Sequence, residues 1–290
     1  MAVRLLIIGR SGQLARALAA TGEARHEMVF RGRGEIDFSP DALARTISAI
    51  APEAIINAAA FTDVDAAERD EAAAFALNCD APHALAKAAA RLDLPLVHIS
   101  TDHVFDGKKG APYAERDAAA PINAYGRSKA AGEAPVLGAG ARVTILRTSW
   151  LFSLYGDNFA TRLLARAANQ SAVDVVADQI GTPTYCGDLA RACLVCVDRL
   201  RARAKEAEGV FHFANAGAAS RAEFAEVLMA EAAARGLSHA RIERTLTNRT
   251  PGAAARPPDS RLDSSLFEAT FEWRARTWRD ALRACFAQMD

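Results

Sequence analysis

Tyr125-Gly126-Arg127-Ser128-Lys129 sets a tyrosine and a lysine four residues apart, the pair in this chain best suited to acid–base chemistry. The i, i+4 spacing predicts a helix with both side chains on one face. A free phenol has a pKa near 10 and is a slow acid at neutral pH. A neighbouring ammonium favours the phenolate and brings that pKa toward the working range. Upstream, Ser100-Thr101-Asp102-His103 offers a hydroxyl, Thr101, able to hold the same oxygen that Tyr125 would protonate. The chemistry implied by Thr101, Tyr125 and Lys129 is carbonyl reduction, in which oxygen takes a proton as hydride reaches carbon. The Tyr-x-x-x-Lys spacing recurs by chance in helices, so its weight comes from what precedes it.

A glycine turn precedes it. The apolar run Val3–Ile8 ends in Gly9-Arg10-Ser11-Gly12-Gln13-Leu14-Ala15, followed by the helix-like Arg16–Thr21. Glycine lets the backbone turn tightly and approach a ligand. The following helix start offers unpaired N–H groups and a positive dipole end to a pyrophosphate. Ala15 is small enough for that helix to lie on a sheet. The pattern is G-x-x-G-x-x-A, and its place after the first strand is what points to a dinucleotide. Farther on, Arg31-Gly32-Arg33-Gly34-Glu35-Ile36-Asp37 follows the second strand. A basic side chain there pairs with the 2′-phosphate of NADP, whereas an acidic one grips a ribose hydroxyl. Arg33 therefore predicts NADPH as cofactor, with NADH left open. A solvated charged loop is the alternative reading of that segment.

These groups need a scaffold. Val3–Ile8, Glu27–Phe30, Ala54–Asn57, Leu96–Ser100 and Val143–Arg147 read as strands, alternating with helical stretches such as Asp41–Ile50 and Glu71–Arg91. Continuous apolar strands between helices indicate a parallel sheet covered on both faces. Right-handed crossovers then give an α/β, Rossmann-type doubly wound fold. After about Trp150 the pattern changes. Val173–Val176 and Val210–Phe213 still read as strands, with a helix from Gly187 to Leu200 between them, and Thr250–Asp259 reads as a loop. Residues 1–150 are expected to form the dinucleotide-binding domain, with 173–215 returning to the sheet. Residues 151–290 are expected to be mainly a smaller, C-terminal substrate lobe over the carboxyl edge.

Composition narrows the partners. The 290 residues carry 35 Lys plus Arg against 35 Asp plus Glu, and 51% are hydrophobic. That balance lacks the concentrated basic face of a nucleic-acid binder. No apolar run reaches the roughly 18 residues that cross a bilayer. The opening MAVRLLIIGRSGQ reads as a buried first strand rather than a leader. Cys79, Cys186, Cys193, Cys196 and Cys285 show neither a disulfide nor a zinc framework, and Cys193-Leu-Val-Cys196 sits in an apolar helical pattern. A reducing cytoplasm is the expected compartment.

In order along the chain stand GRSGQLA from Gly9, INAAAFTDVDAAE from Ile56, NCDAPHALAKAA from Asn78, HISTDHVFDG from His98, YGRSK, LRTSWLF from Leu146, DQIGTPTY from Asp178 and RPPDSRLD from Arg256. With these segments the chain resembles the extended short-chain dehydrogenase/reductase superfamily, and within it the dTDP-4-dehydrorhamnose reductases, over nearly its whole length. The resemblance implies NAD(P)H-dependent reduction of the C4 ketone of dTDP-4-dehydro-6-deoxy-L-mannose to dTDP-L-rhamnose. It implies that Gly9, Ser11, Gly12, Gln13 and Leu14 hold the cofactor pyrophosphate, that Asp37 lies near the adenine, and that Ala58, Ala59 and Ala60 line the dinucleotide beside Tyr125 and Lys129. Thr62, Val64, Asp102, His103 and Trp150 would flank the sugar. The family usually has tyrosine where His103 stands. Asn158, Arg162 and Arg256 are candidate contacts for the nucleotide diphosphate, or else surface and inter-lobe charges. Some members hold a metal in an acidic cluster at a dimer interface; that cluster does not map here, so no metal is expected, while a homodimer is left open. Two other readings share the fold: a sugar-nucleotide epimerase or dehydratase with retained NAD, and a non-catalytic subunit resembling the regulatory subunit of methionine adenosyltransferase.

Overall fold

The computed structural model describes residues 2–21, 25–248 and 252–288. The first five strands are β1 (Val3–Ile8), β2 (His26–Arg31), β3 (Ala54–Asn57), β4 (Leu96–Thr101) and β5 (Val143–Thr148). They are followed by β6 (Leu151–Phe152), β7 (Ala172–Val176), β8 (Ile180–Gly181), β9 (Thr184–Tyr185), β10 (Gly209–His212), β11 (Ala219–Ser220) and β12 (Arg241–Thr245). The central sheet has six strands in the order β10-β5-β4-β3-β1-β2, and every pairing in it is parallel. Its strands are apolar on both faces because helices cover both, as in the buried Leu5–Ile8 and Ala54–Ile56. One face packs on the helix Cys186–Arg201, where Cys186, Cys193 and Cys196 are fully buried packing groups. The other packs on the helices Pro40–Ile50 and Ala81–Arg91.

Chain order makes this sheet a ligand platform. From β1 the chain passes to β2 on one side and then to β3 on the other, so the direction of winding reverses between β1 and β3. Helices leaving adjacent strand ends on opposite faces leave a crevice at that point. Of residues 173–215, Gly209–His212 joins the sheet beside β5, whereas Ala172–Val176 pairs in parallel with Arg241–Thr245 outside it. That second ladder, with the helices Phe159–Ala167, Arg221–Ala234 and Trp278–Phe286, encloses its own core around Phe152, Phe224 and Trp278.

Two elements depart from expectation. The stretch Glu71–Arg91 is not one helix: Ala76–Asp80 forms a π-helical turn between Glu71–Phe75 and Ala81–Arg91. Arg241–Thr245 is a strand that the pattern hides, because Arg241, Glu243 and Arg244 interrupt any apolar alternation on an edge. The expected loop Thr250–Asp259 begins in residues outside the described set; from Gly252 to Pro258 no helix or strand forms.

Candidate active site

At the switch point Gly9 adopts φ 115°, a region open to glycine, and a side chain there would press on the Ala58 and Ala59 backbone. The ends of β1 and β3 thus meet at Gly9 and Ala58. The helix Gln13–Ala20 starts with Gly12 as N-cap and has no side-chain cap, so its first N–H groups face outward, and a β-carbon on Gly12 would meet nothing within 4 Å. Ser11 is exposed beside it. Leu14 is buried in the core, which leaves only its backbone N–H for a phosphate. Gln13 accepts a hydrogen bond from Ser153 Oγ at 2.8 Å, tying the turn to the segment after β6. Arg33 is exposed in the turn after β2, and the turn is held by Glu35, which accepts from Gly32 N at 2.6 Å and from Arg10 at 2.9 Å. Asp37 accepts from Ser39 N at 2.8 Å, and that bond holds its carboxyl below the usual carboxylate range.

Tyr125 and Lys129 lie in the helix Ala124–Leu137, packed across β4. Two glycines let this helix approach: a methyl on Gly126 would land on the His103 carbonyl oxygen, and one on Gly132 on that of Asn78. Lys129 is 1% exposed and donates from Nζ to the Ile99 carbonyl at 2.6 Å. Burial lowers its pKa to about 8, opposed by the carboxylate of Glu133. The expectation that Lys129 draws the phenol toward neutrality is corrected here. Burial pushes Tyr125 up to about 12, with the Thr101 hydroxyl opposing and the Asp102 charge adding to it. The phenol is therefore protonated at neutral pH, the form an acid needs. Thr101 donates to Asp102 Oδ1 at 3.1 Å and accepts from His103 N at 3.2 Å, so it must turn its hydroxyl from Asp102 to hold a carbonyl oxygen.

Behind Lys129 runs a buried polar row. His98 Nε2 lies 3.5 Å from Lys129 Nζ, and His98 Nδ1 lies 3.1 Å from Asn57 Nδ2. Burial, then the nearby ammonium, drives the His98 pKa well down, so the ring is neutral. Glu133, one turn beyond Lys129, binds Arg147 of β5 through both oxygens, at 2.9 and 2.6 Å.

Two positioning residues were not singled out in the sequence. Asn123 caps the helix of Tyr125 through Gly126 N at 2.7 Å, and its amide donates to the Ala255 carbonyl at 2.8 Å and faces His103 Nδ1 at 3.0 Å. That contact leaves the ring hydrogen of His103 on Nε2, and burial lowers the His103 pKa. The His103 ring meets Tyr125 edge-on, with centroids 5.4 Å apart. Asn78, in the π-helical turn, bridges both backbone groups of Phe61, at 2.8 and 3.0 Å, to Ser128 Oγ at 2.9 Å. It thereby fixes the Ala58–Ala60 segment against the Tyr125 helix. The signal for Asn78 was its place opening the NCDAPHALAKAA segment; Asn123 carried none beyond being an N-cap residue type.

The LRTSWLF and DQIGTPTY segments meet at one side chain, and RPPDSRLD pairs beside them. Trp150, with φ 45°, lays its indole where a side chain on Gly181 would stand, which explains the glycine of DQIGTPTY. Ile180 pairs with the RPPDS segment, donating to the Pro258 carbonyl at 2.8 Å. Ser149 donates to Asp102 Oδ2 at 3.0 Å. Thr62 is exposed ahead of the helix Val64–Arg69, and Val64 is half-buried at its start. Asp65 in that helix takes a two-pronged ion pair from Arg256, at 3.1 and 2.9 Å. Arg162 pairs with Asp157 at 3.1 Å, both exposed. The Asn158 amide is fully engaged: it caps Phe159–Ala167 through Ala160 and Thr161 N and donates to the Ser153 and Tyr155 carbonyls. It has no hydrogen left for a phosphate, which corrects its proposed contact.

Residues 3–290 match the family model described as the RmlD substrate binding domain. The chain is 39% identical over 286 residues to a dTDP-4-dehydrorhamnose reductase of Sinorhizobium fredii, covering 97% of this chain and 96% of that one. Among solved structures, a dTDP-4-dehydrorhamnose reductase from Clostridium acetobutylicum superposes with a TM-score of 0.90 at 31% identity, over 99% of each chain. One from Bacillus anthracis, in complex with NADP, gives 0.89 at 31% identity, over 99% of this chain and 100% of that one.

Proposed function

The chain belongs to the RmlD substrate binding domain family, and on that premise we propose that it reduces the C4 ketone of dTDP-4-dehydro-6-deoxy-L-mannose to dTDP-L-rhamnose, with NADPH as reductant. The observation that carries this reading is the placement of Tyr125 and Lys129 one turn apart in the helix Ala124–Leu137, with Thr101 at the carboxyl end of β4, next to the switch-point crevice.

The residues present fit a dinucleotide. Gly9 keeps the β1–β3 crevice free of a side chain, and the uncapped start of Gln13–Ala20 can receive a pyrophosphate on the N–H groups around Ser11 to Leu14. Ala58 to Ala60 would flank it, and Lys129 would reach the nicotinamide ribose. Bound there, the nicotinamide supplies hydride to the ketone carbon. The chain's own part is to hold the ketone oxygen with Thr101 and to protonate it from Tyr125, while Lys129 keeps positive charge close to the forming phenolate. When Thr101 turns to the ketone oxygen it gives up Asp102 Oδ1, while Asp102 Oδ2 keeps the hydrogen bond from Ser149 Oγ. Residues 1–150 would serve the dinucleotide, and 151–290 mainly the sugar nucleotide. No described helix is long and apolar enough to cross a membrane. Five free cysteines suit a reducing cytoplasm.

The test is NADPH oxidation with and without the 4-keto sugar nucleotide, with the product identified by NMR in deuterated water. Stoichiometric formation of dTDP-L-rhamnose without deuterium at C3 or C5 is expected. Exchange at those carbons, or no turnover, would overturn the reading. Cofactor choice is tested at Arg33. Arg33→Ala is expected to weaken NADPH by severalfold and leave NADH unchanged, because an exposed arginine pairs a phosphate under full solvent screening. An NADPH/NADH affinity ratio equal to wild type would remove Arg33 from cofactor selection.

A further inference from the structure

Arg221 opens the helix Arg221–Ala234, and its guanidinium carbon lies over the Trp150 indole, 3.6 Å from the ring centroid and 5.1 Å from that of Phe159. Among the described residues it makes neither a side-chain hydrogen bond nor an ion pair; only its backbone N–H is engaged, by Gln179. Its surroundings make that unusual. Arg162 and Arg256 are near enough to disfavour its charge, yet each has its own carboxylate, Asp157 and Asp65. Burial brings the Arg221 pKa down to about 10, with Asp102 opposing, so the group remains a cation at neutral pH. A largely desolvated guanidinium without hydrogen bonds is costly unless something completes it. Its planar fork suits the two oxygens of a phosphate, and stacking on Trp150 fixes the plane of that fork.

We propose that Arg221, stacked on Trp150, binds the diphosphate of the sugar nucleotide and so anchors the sugar between Trp150 and the Thr101–Tyr125 hydroxyls. This rests on the nucleotide-sugar reading above and adds a residue to it. Asp102, which accepts hydrogen bonds from Thr101 and Ser149, is near enough to favour the Arg221 charge, so the guanidinium and the Thr101 hydroxyl share one neighbour. Arg221 and Arg256 are both near enough to disfavour a charge on His103, whose ring packs edge-on against Tyr125.

The experiment is calorimetric titration of wild type, Arg221→Met and Arg221→Lys with thymidine diphosphate, thymidine and NADPH. Methionine keeps an apolar arm on Trp150 and removes the fork. Charge-assisted hydrogen bonds of this kind correspond to about 10- to 100-fold in affinity. Arg221→Met is expected to lose thymidine diphosphate by that factor, with thymidine and NADPH affinity unchanged and a thermal midpoint equal to or above wild type, since an uncompensated buried cation is removed. Arg221→Lys should fall between, and the KM for the keto sugar should rise more than kcat falls. Equal losses for thymidine and its diphosphate, or a diphosphate affinity within twofold of wild type in both variants, would overturn the proposal. If wild type binds thymidine diphosphate through Arg221 but does not reduce the keto sugar, the reductase reading fails and this one stands. If it reduces the sugar and the variants bind the diphosphate like wild type, the reverse holds.

Discussion

Replacing Tyr125 by phenylalanine is expected to lower kcat by about 10²- to 10⁴-fold, the range a positioned general acid contributes, with NADPH affinity nearly unchanged. The substitution removes one oxygen. The ring keeps its edge contact with His103, and the helix keeps its cap on Asn123. What is lost is the hydrogen that a ketone oxygen must receive as its carbon is reduced. Burial pushes the phenol up to about 12, so wild type holds that hydrogen throughout the neutral range. Lys129 is the group that titrates nearer neutrality, lowered to about 8 by burial. A lysine with a lowered pKa is charged below that value and neutral above it. The kcat/KM for reduction should therefore fall as pH rises through about 8, because the charge that stabilises the departing phenolate is lost. Single-turnover reduction, cofactor titration and a pH profile check these outcomes together. A Tyr125→Phe enzyme within about threefold of wild type would show that the proton comes from elsewhere. His103, with a hydrogen on Nε2 beside the phenol, would be the next donor to test.

How much of this was legible in the sequence depends on the range of the interaction. β1 and β3 are bounded as the apolar runs predict, because the buried stretches Leu5–Ile8 and Ala54–Ile56 of these parallel strands are apolar without interruption. The order Gly9, Asn57, Thr101, Tyr125 and Lys129 along the chain was enough to place a crevice, since strand ends and helix starts are local features. Contacts between distant segments were not legible. Nothing in Arg256 or Asp65 taken singly says that the two are paired across 191 positions. The same is true of Arg221, whose stacking on Trp150 depends on how the helix Arg221–Ala234 is docked. Asn158 was misread because an asparagine before a helix serves a cap as well as it serves a ligand, and only the four hydrogen bonds decide. The π-helical turn at Ala76–Asp80 has no compositional signature, yet it sets Asn78 at the junction of Phe61 and Ser128.

Glu133→Ala is expected to destabilise the fold by about 3–5 kcal/mol, the usual cost of removing one partner of a buried ion pair. Both side chains are nearly enclosed, at 8% exposure for Glu133 and 7% for Arg147. Glu133 also accepts from Ser100 Oγ at 2.5 Å, so its loss leaves a buried hydroxyl as well as a buried cation without this partner. The other contacts of the Arg147 guanidinium, to the Glu115 carbonyl and His212 Nε2, are 3.4 Å long and cannot replace a two-pronged carboxylate. Such a loss is a large fraction of the roughly 5–15 kcal/mol that separates folded from unfolded domains. The urea midpoint of Glu133→Ala should fall accordingly, and that of Glu133→Gln, which keeps the shape and one acceptor, should fall less. The second readout separates packing from function. The Glu133 carboxylate raises the pKa of Lys129 against the lowering by burial. Removing that charge must move Lys129 further down, so the alkaline fall in kcat/KM should shift to lower pH in Glu133→Gln. A pair that only braces the sheet against the helix would change the midpoint and leave the pH profile in place. An unshifted profile in folded Glu133→Gln would mean that burial alone sets the charge of Lys129, and the ion pair would then be a brace and nothing more.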